Sequence, residues 1–163
     1  MKHILNEIDY LIVDKDEVLD LIEKEGNFKK WIYTCQYGIE YKCIIIRNPI
    51  MNFLCGYVEV DKYNQFFGNN DYLNYRLDVH GGITYASEHL PNLNGNSWFI
   101  GFDCGHYGDL VIHKNMNVNF GLDNGIYRDM NYVKDQCEKL ADQLSQYHIS
   151  VKRLNKIKTI EKD

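Results

Sequence analysis

The stretch SWFIGFDCGHYGD, Ser97 to Asp109, governs how the rest of the chain is read. Its first half is almost wholly apolar and short, the composition of a strand buried on both faces at the centre of a sheet. Strand alternation puts Trp98, Ile100, Phe102 and Cys104 on one face and Gly101 with Asp103 on the other. The second half changes character at Asp103. Glycines at 105 and 108 break the strand, and Asp103, His106 and Asp109 gather where the backbone leaves the sheet. Loops at strand ends are common homes for binding residues.

Working outward, KDEVLDLIEKEG (Lys15–Gly26) has helical spacing, with Asp14 or Asp16 as cap, Val18, Leu21 and Ile22 as apolar stripe, and Gly26 as stop. KKWIYTCQY, IEYKCIIIRN and FLCGYVEV (Phe53–Val60) have strand composition, separated by turn signals at Gly38 and Pro49. A polar, aromatic loop follows, DKYNQFFGNNDYLN. YRLDVHGGITYA alternates: Leu77, Val79, Ile83 and Tyr85 against Arg76, Asp78, His80 and Thr84, which predicts a strand beside the central one. YRDMNYVKDQCEKLADQLSQY is a helix whose Val133, Cys137, Leu140, Ala141 and Leu144 face the core. An order of helix, several strands, then helix, without regular β/α alternation, predicts an α+β fold. Its mostly antiparallel, twisted sheet would pack against an N-terminal and a C-terminal helix. The expected organisation is one domain over residues 1–150 and a charged, frayed tail over 151–163.

Composition narrows the function. The 163 residues carry a net charge of -5, which argues against bulk nucleic-acid binding, since that needs a basic face. No apolar run reaches the roughly 20 residues of a membrane span. Five cysteines, an odd number without C-x-x-C spacing, and a first segment lacking the features of a secretory signal point to the reducing cytoplasm. Thirteen tyrosines exceed what a core of this size takes up, so some rings are expected on a pocket or a homodimer contact.

GYVEV, VHGGITYA, WFIGFDCGHYGD and YRDMNYVKDQCEKLADQL occur here in that order. In this the chain, from about Gly56 to Leu144, resembles a family of small uncharacterised proteins encoded in bacterial and phage genomes. Gly56, Tyr57, Val58, His80, Gly81, Gly82, Thr84, Gly101, Phe102, Asp103, Cys104, His106, Gly108, Asp109, Tyr127 and Tyr132 carry the resemblance. Relatives often have a histidine-proline pair after the GYV strand, where this chain reads YNQ (Tyr63–Gln65), so any role of that histidine is lost or altered here. The resemblance implies a signature and a phage-linked distribution, and brings no defined activity.

The chemistry admits three readings. His80, Asp103, His106 and Asp109 are residue types that suit a divalent metal cofactor such as zinc, iron or manganese. The same four suit metal-free acid–base hydrolysis, with Cys104 an alternative nucleophile that alternation instead sends into the core. The leading reading is binding of a small polar, nucleotide-like molecule. Arg76, His80, Gly81, Gly82, Thr84, Asp103, His106 and Asp109 would line the pocket, Gly101 would leave room for a flat ligand, and the glycine turns would offer an amide nest to an anion. Arg128 is a second candidate for anion pairing. By analogy with phage proteins that sequester nucleotide-derived immune signals, the ligand is expected to be of that kind. Ordinary turn and β-bulge chemistry explains each residue singly; two such clusters at strand ends favour a site.

Overall fold

The computed structural model describes residues 15–71, 73–90, 93, 97–113 and 125–160. Helix α1 (Lys15–Glu25) precedes strands β1 (Phe28–Thr34), β2 (Glu40–Arg47) and β3 (Leu54–Val60). One helical turn, α2 (Leu73–Arg76), leads to β4 (Tyr85–Ser87) and β5 (Trp98–Asp103), and helices α3 (Met130–Ser145) and α4 (Ile149–Ile160) follow. The five strands form one sheet of order β1-β2-β3-β5-β4, antiparallel throughout. The fold is α+β, as the sequence order predicts.

The hairpins follow from local chemistry. Between β1 and β2, Gly38 takes φ 74° and donates to the Cys35 carbonyl at 2.9 Å. Between β2 and β3, Asn52 takes the left-handed φ of 59°, a conformation asparagine tolerates better than most residues. The Asn48 side chain there accepts from the amides of Ile50 and Met51.

α3 supplies the core. Val133, Cys137, Leu140, Ala141 and Leu144 are all fully buried against Cys43, Ile45, Leu54, Val58, Ile100 and Phe102. Burying a valine or leucine side chain contributes about 1.5–3 kcal/mol, so this stripe outweighs any single polar contact in the domain. The helix can approach because residue 56 is glycine: a Cβ there would lie 2.7 Å from Cys137 Sγ and 2.6 Å from the Phe102 ring. Cys104 joins this core, as alternation predicts. The opposite sheet face is covered in part by Leu90 and Leu93 over Ile44, Tyr57, Tyr85 and Phe99.

α1 buries Val18 and Ile22 against Ile112, Leu110 and Tyr127, whereas Leu21, expected in the same stripe, is exposed. Asp16 lies in the first turn of the helix and Asp14 lies outside the described residues. Its C-terminal end is tied down by a buried arginine that sequence reading passed over. Arg47 donates to Glu25 at 3.0 Å, to Tyr127 at 3.0 Å and to the Gly26 and Asn52 carbonyls. Glu25 in turn accepts from the first amide of α3, that of Met130.

Two local expectations are corrected. VHGGIT is a turn, not part of a strand: only Tyr85–Ser87 pairs with β5, and Gly81 and Gly82 take φ of 65° and 84°. The apolar alternation that suggests a strand arises because Leu77, Val79 and Ile83 are buried from a coil. The segment from 151 onward, expected to fray, is helical to Ile160. Its first turn is anchored by buried Val151 and by the Ile149 amide donating to the Tyr63 carbonyl. No helix among the described residues is long and apolar enough to cross a membrane.

Candidate functional site

The HGG turn, the loop after β5 and the start of α3 meet at Asp109. Its side chain is 1% exposed, and both oxygens are engaged. Oδ2 accepts from His80 Nε2 at 2.7 Å and from the His106 amide at 3.1 Å. Oδ1 accepts from Arg128 Nε at 3.0 Å. On the far side of the His80 ring, Nδ1 lies 2.9 Å from the Tyr132 hydroxyl. In a neutral His80 that donates from Nε2, Nδ1 accepts from the tyrosine. Burial pushes the Tyr132 phenol up, which keeps that proton in place. Arg128 then stacks on the Tyr132 ring, 4.7 Å from its centroid, and closes a circuit of four side chains.

Each part of this circuit has a local cause. The β5 strand ends in a side-chain-to-backbone turn, the Gly105 amide donating to Asp103 Oδ1 at 3.0 Å. A second turn closes from the Asp109 amide to the His106 carbonyl. Gly125 lets the returning chain lie directly on Asp109, since a Cβ there would stand 2.2 Å from the Asp109 backbone. The residues after it deliver Arg128, and Asp129 then caps α3 by accepting from the Tyr132 amide.

α3 also carries a polar stripe, Tyr132, Gln136, Lys139 and Gln143, at the spacing of one helix face. Gln136 accepts from the His80 amide, Gln143 accepts from the Asp78 amide and donates to its carbonyl, and Lys139 pairs with the Asp78 carboxylate. The apolar stripe of α3 holds the sheet, and this polar stripe holds the segment that carries His80. Gln136 and Gln143 were missed in sequence reading, although their i, i+7 spacing beside the apolar stripe is visible there.

Burial by itself would raise the Asp109 pKa. The hydrogen bonds from His80, Arg128 and the His106 amide outweigh it and hold the carboxyl below the usual aspartate value. Burial pushes the Cys104 thiol far up, with Asp109 adding to it, and only 2% of that residue is exposed. Such a thiol is no nucleophile at neutral pH.

The other expected site residues separate. His106 packs its ring over Gly81, where a Cβ would lie 2.3 Å away, and its centroid is 5.9 Å from that of His80. Asp103 Oδ1 is 3.5 Å from His106 Nδ1 and pairs with His106, not with His80. Gly82 faces Asn74, whose side chain accepts the Ile83 amide. Thr84 lines a separate cavity of ≈ 330 Å³ with Asn70, Asn74 and Tyr85. Arg76 sits over the Tyr147 ring. Of the amides around the expected nest, those of His80, Gly82, Ile83 and Thr84 donate to protein acceptors. The space at Gly101 is filled by Tyr57, whose ring a Cβ at 101 would approach to 2.5 Å. His148 contacts Ser150 and lies 3.6 Å from Asp61.

A larger cavity, ≈ 640 Å³, lies at the opposite end of the sheet, where β2 begins and β3 ends. Ile32, Ile39, Val60 and Phe67 give it apolar walls, and Tyr63 and His148 stand at its side. Glu59 holds Lys42 with one oxygen and accepts from Ser97 with the other, so a short polar row crosses the apolar surface. Tyr63 and Phe67 of the polar, aromatic loop belong to this cavity.

Compared with family models, with curated proteins and with solved structures, the chain shows no match to any.

Proposed function

We propose that the protein binds a small nucleotide-like molecule and holds it without converting it. The observation that carries this reading is the ≈ 640 Å³ cavity, which joins apolar and aromatic walls to the Lys42–Glu59–Ser97 row. Drug-sized ligands occupy clefts of roughly 300–1,000 Å³ with mostly apolar walls and a few placed polar groups. Phe67 and Tyr63 offer rings to the face of a base, Glu59 accepts from a ring N–H or amine, and Lys42 and Lys62 draw a phosphate. The His80–Asp109–Arg128–Tyr132 circuit is the frame at the other end of the sheet. The resemblance to phage-encoded proteins supports sequestration of a nucleotide-derived signal in the cytoplasm, and the five free thiols are consistent with that compartment.

The test incubates the protein with a panel of mononucleotides, cyclic nucleotides and adenosine-diphosphate-ribose compounds. After gel filtration and denaturation, the released molecules are analysed by mass spectrometry. Intact nucleotide, lost in Phe67→Ala and Glu59→Gln variants that melt like the parent, is the expected result. Retention of no compound, or retention unchanged in both variants, overturns the reading. A hydrolase acting on such a compound is the second reading. It is favoured by one observation, the close approach of donor atoms from His80, His106 and Asp109, and is recognised by recovery of a converted product.

A further inference from the structure

We infer that His80, His106 and Asp109 form a binding site for one divalent transition-metal ion, independent of the cavity at the far end of the sheet. One donor atom from each residue lies within 4.8 Å of the other two. Around an ion with ligand distances of about 2.0–2.2 Å, tetrahedral donors sit roughly 3.4 Å apart, so binding opens the 2.7 Å contact of His80 with Asp109 and draws His106 toward both. The residue that moves is His106, which is about a third exposed and held mainly by packing over Gly81.

Two features distinguish this cluster from a closed structural clasp. First, His106 Nδ1 is buried and makes no hydrogen bond; the nearest acidic oxygen, Asp103 Oδ1, is 3.5 Å away. Buried polar atoms without partners are uncommon and call for an occupant or a role. Second, the partners behind His80 and Asp109 are those that orient metal ligands. Tyr132 fixes the His80 ring from its far nitrogen, and Arg128 holds the other oxygen of Asp109.

The tyrosine makes the exchange chemically simple. A neutral His80 with its proton on Nε2 donates to Asp109 and accepts from Tyr132 at Nδ1. In the other neutral tautomer Nδ1–H donates to the Tyr132 oxygen, and the Nε2 lone pair is free for the ion. A hydroxyl can serve either tautomer because it both donates and accepts. Two imidazoles and one carboxylate suit zinc, iron or cobalt over calcium or magnesium. Three protein ligands leave a coordination position for water.

The experiment titrates the full chain, freed of metal by chelator, with cobalt(II), and follows both visible absorption and bound metal after gel filtration. One cobalt per chain is expected, with ligand-field bands of a low-coordinate nitrogen–oxygen site, and zinc should displace it. His106→Ala should weaken cobalt binding at least about tenfold with an unchanged melting temperature, and Tyr132→Phe by roughly 10–100-fold. Asp109 is left intact, because it also anchors the loop. Less than about a tenth of an ion bound to the parent chain, or parent-like affinity in His106→Ala, overturns the proposal. Nucleotide retention in the cavity is read separately, so either result stands without the other.

Discussion

His80 Nε2 lies 2.7 Å from Asp109 Oδ2, joining a turn at the start of the fourth strand to the loop after the fifth. Asp109 is almost wholly buried, its Oδ2 also accepts from the His106 amide and its other oxygen holds Arg128, so removing the carboxylate strands three donors at once. Breaking a buried pair from one side costs about 3–5 kcal/mol. Asp109→Ala is expected to lose stability in that range by urea denaturation. His80→Ala should lose less, because Arg128 still neutralises the aspartate. Equal, small losses in both would show that the circuit contributes little.

The same carboxyl sets an acid limit. Its folded pKa lies below the unfolded value of about 3.9, so its contribution is fully present above that pH and is lost as pH falls toward the folded value. Melting temperature should therefore fall as pH drops below about 4. In Asp109→Asn the fall should be shallower. A parallel fall in the variant would assign the acid limit to other carboxylates.

Two glycines are predicted to resist substitution for different reasons. Gly81→Ala must place a Cβ 2.3 Å from the His106 ring at a φ of 65°. A loss of about 1–3 kcal/mol is expected from the strained backbone, together with displacement of His106 visible in its NMR ring resonances. Gly56→Ala overpacks the helix–sheet seam against Phe102 and Cys137, at a cost of about 1–3 kcal/mol, and should leave the His106 resonances in place.

Cys104, beside the polar loop, is expected to act only through packing. Cys104→Ala should leave nucleotide retention and cobalt binding unchanged while lowering stability by about 1 kcal/mol. In the native protein at neutral pH, Cys43, Cys104 and Cys137 should escape iodoacetamide and react only on unfolding. Burial pushes the Cys43 thiol to about 12 and raises the other two. Rapid native labelling of Cys104, mapped by mass spectrometry, would restore it as a candidate nucleophile.

Long periodic segments were legible in the chain. The α3 stripe from Val133 to Leu144 and the apolar run of β5 each satisfy one period only, and burial follows directly from it. VHGGIT was misread because its buried residues alternate by coincidence of packing, and two glycines in left-handed conformations mark a turn instead. The candidate site was half legible. That His80, His106 and Asp109 belong together could be suspected from residue type. That Asp109, and not Asp103, is the partner of His80 depends on Gly81 and Gly125 letting two loops close on one carboxylate.

By itself, the sequence determined the α+β class, the inward stripe of the long helix, the burial of Cys104 and the polar exit of the fifth strand, because each follows from periodicity or from a local change in composition. Only the tertiary structure decided which polar residues meet and where a cavity opens. Strand order and loop closure are properties of long-range packing. They bring Tyr132 of α3 to His80 and Arg128, just before that helix, to Asp109, and Tyr63, Phe67 and Glu59 to a cavity at the opposite end of the sheet.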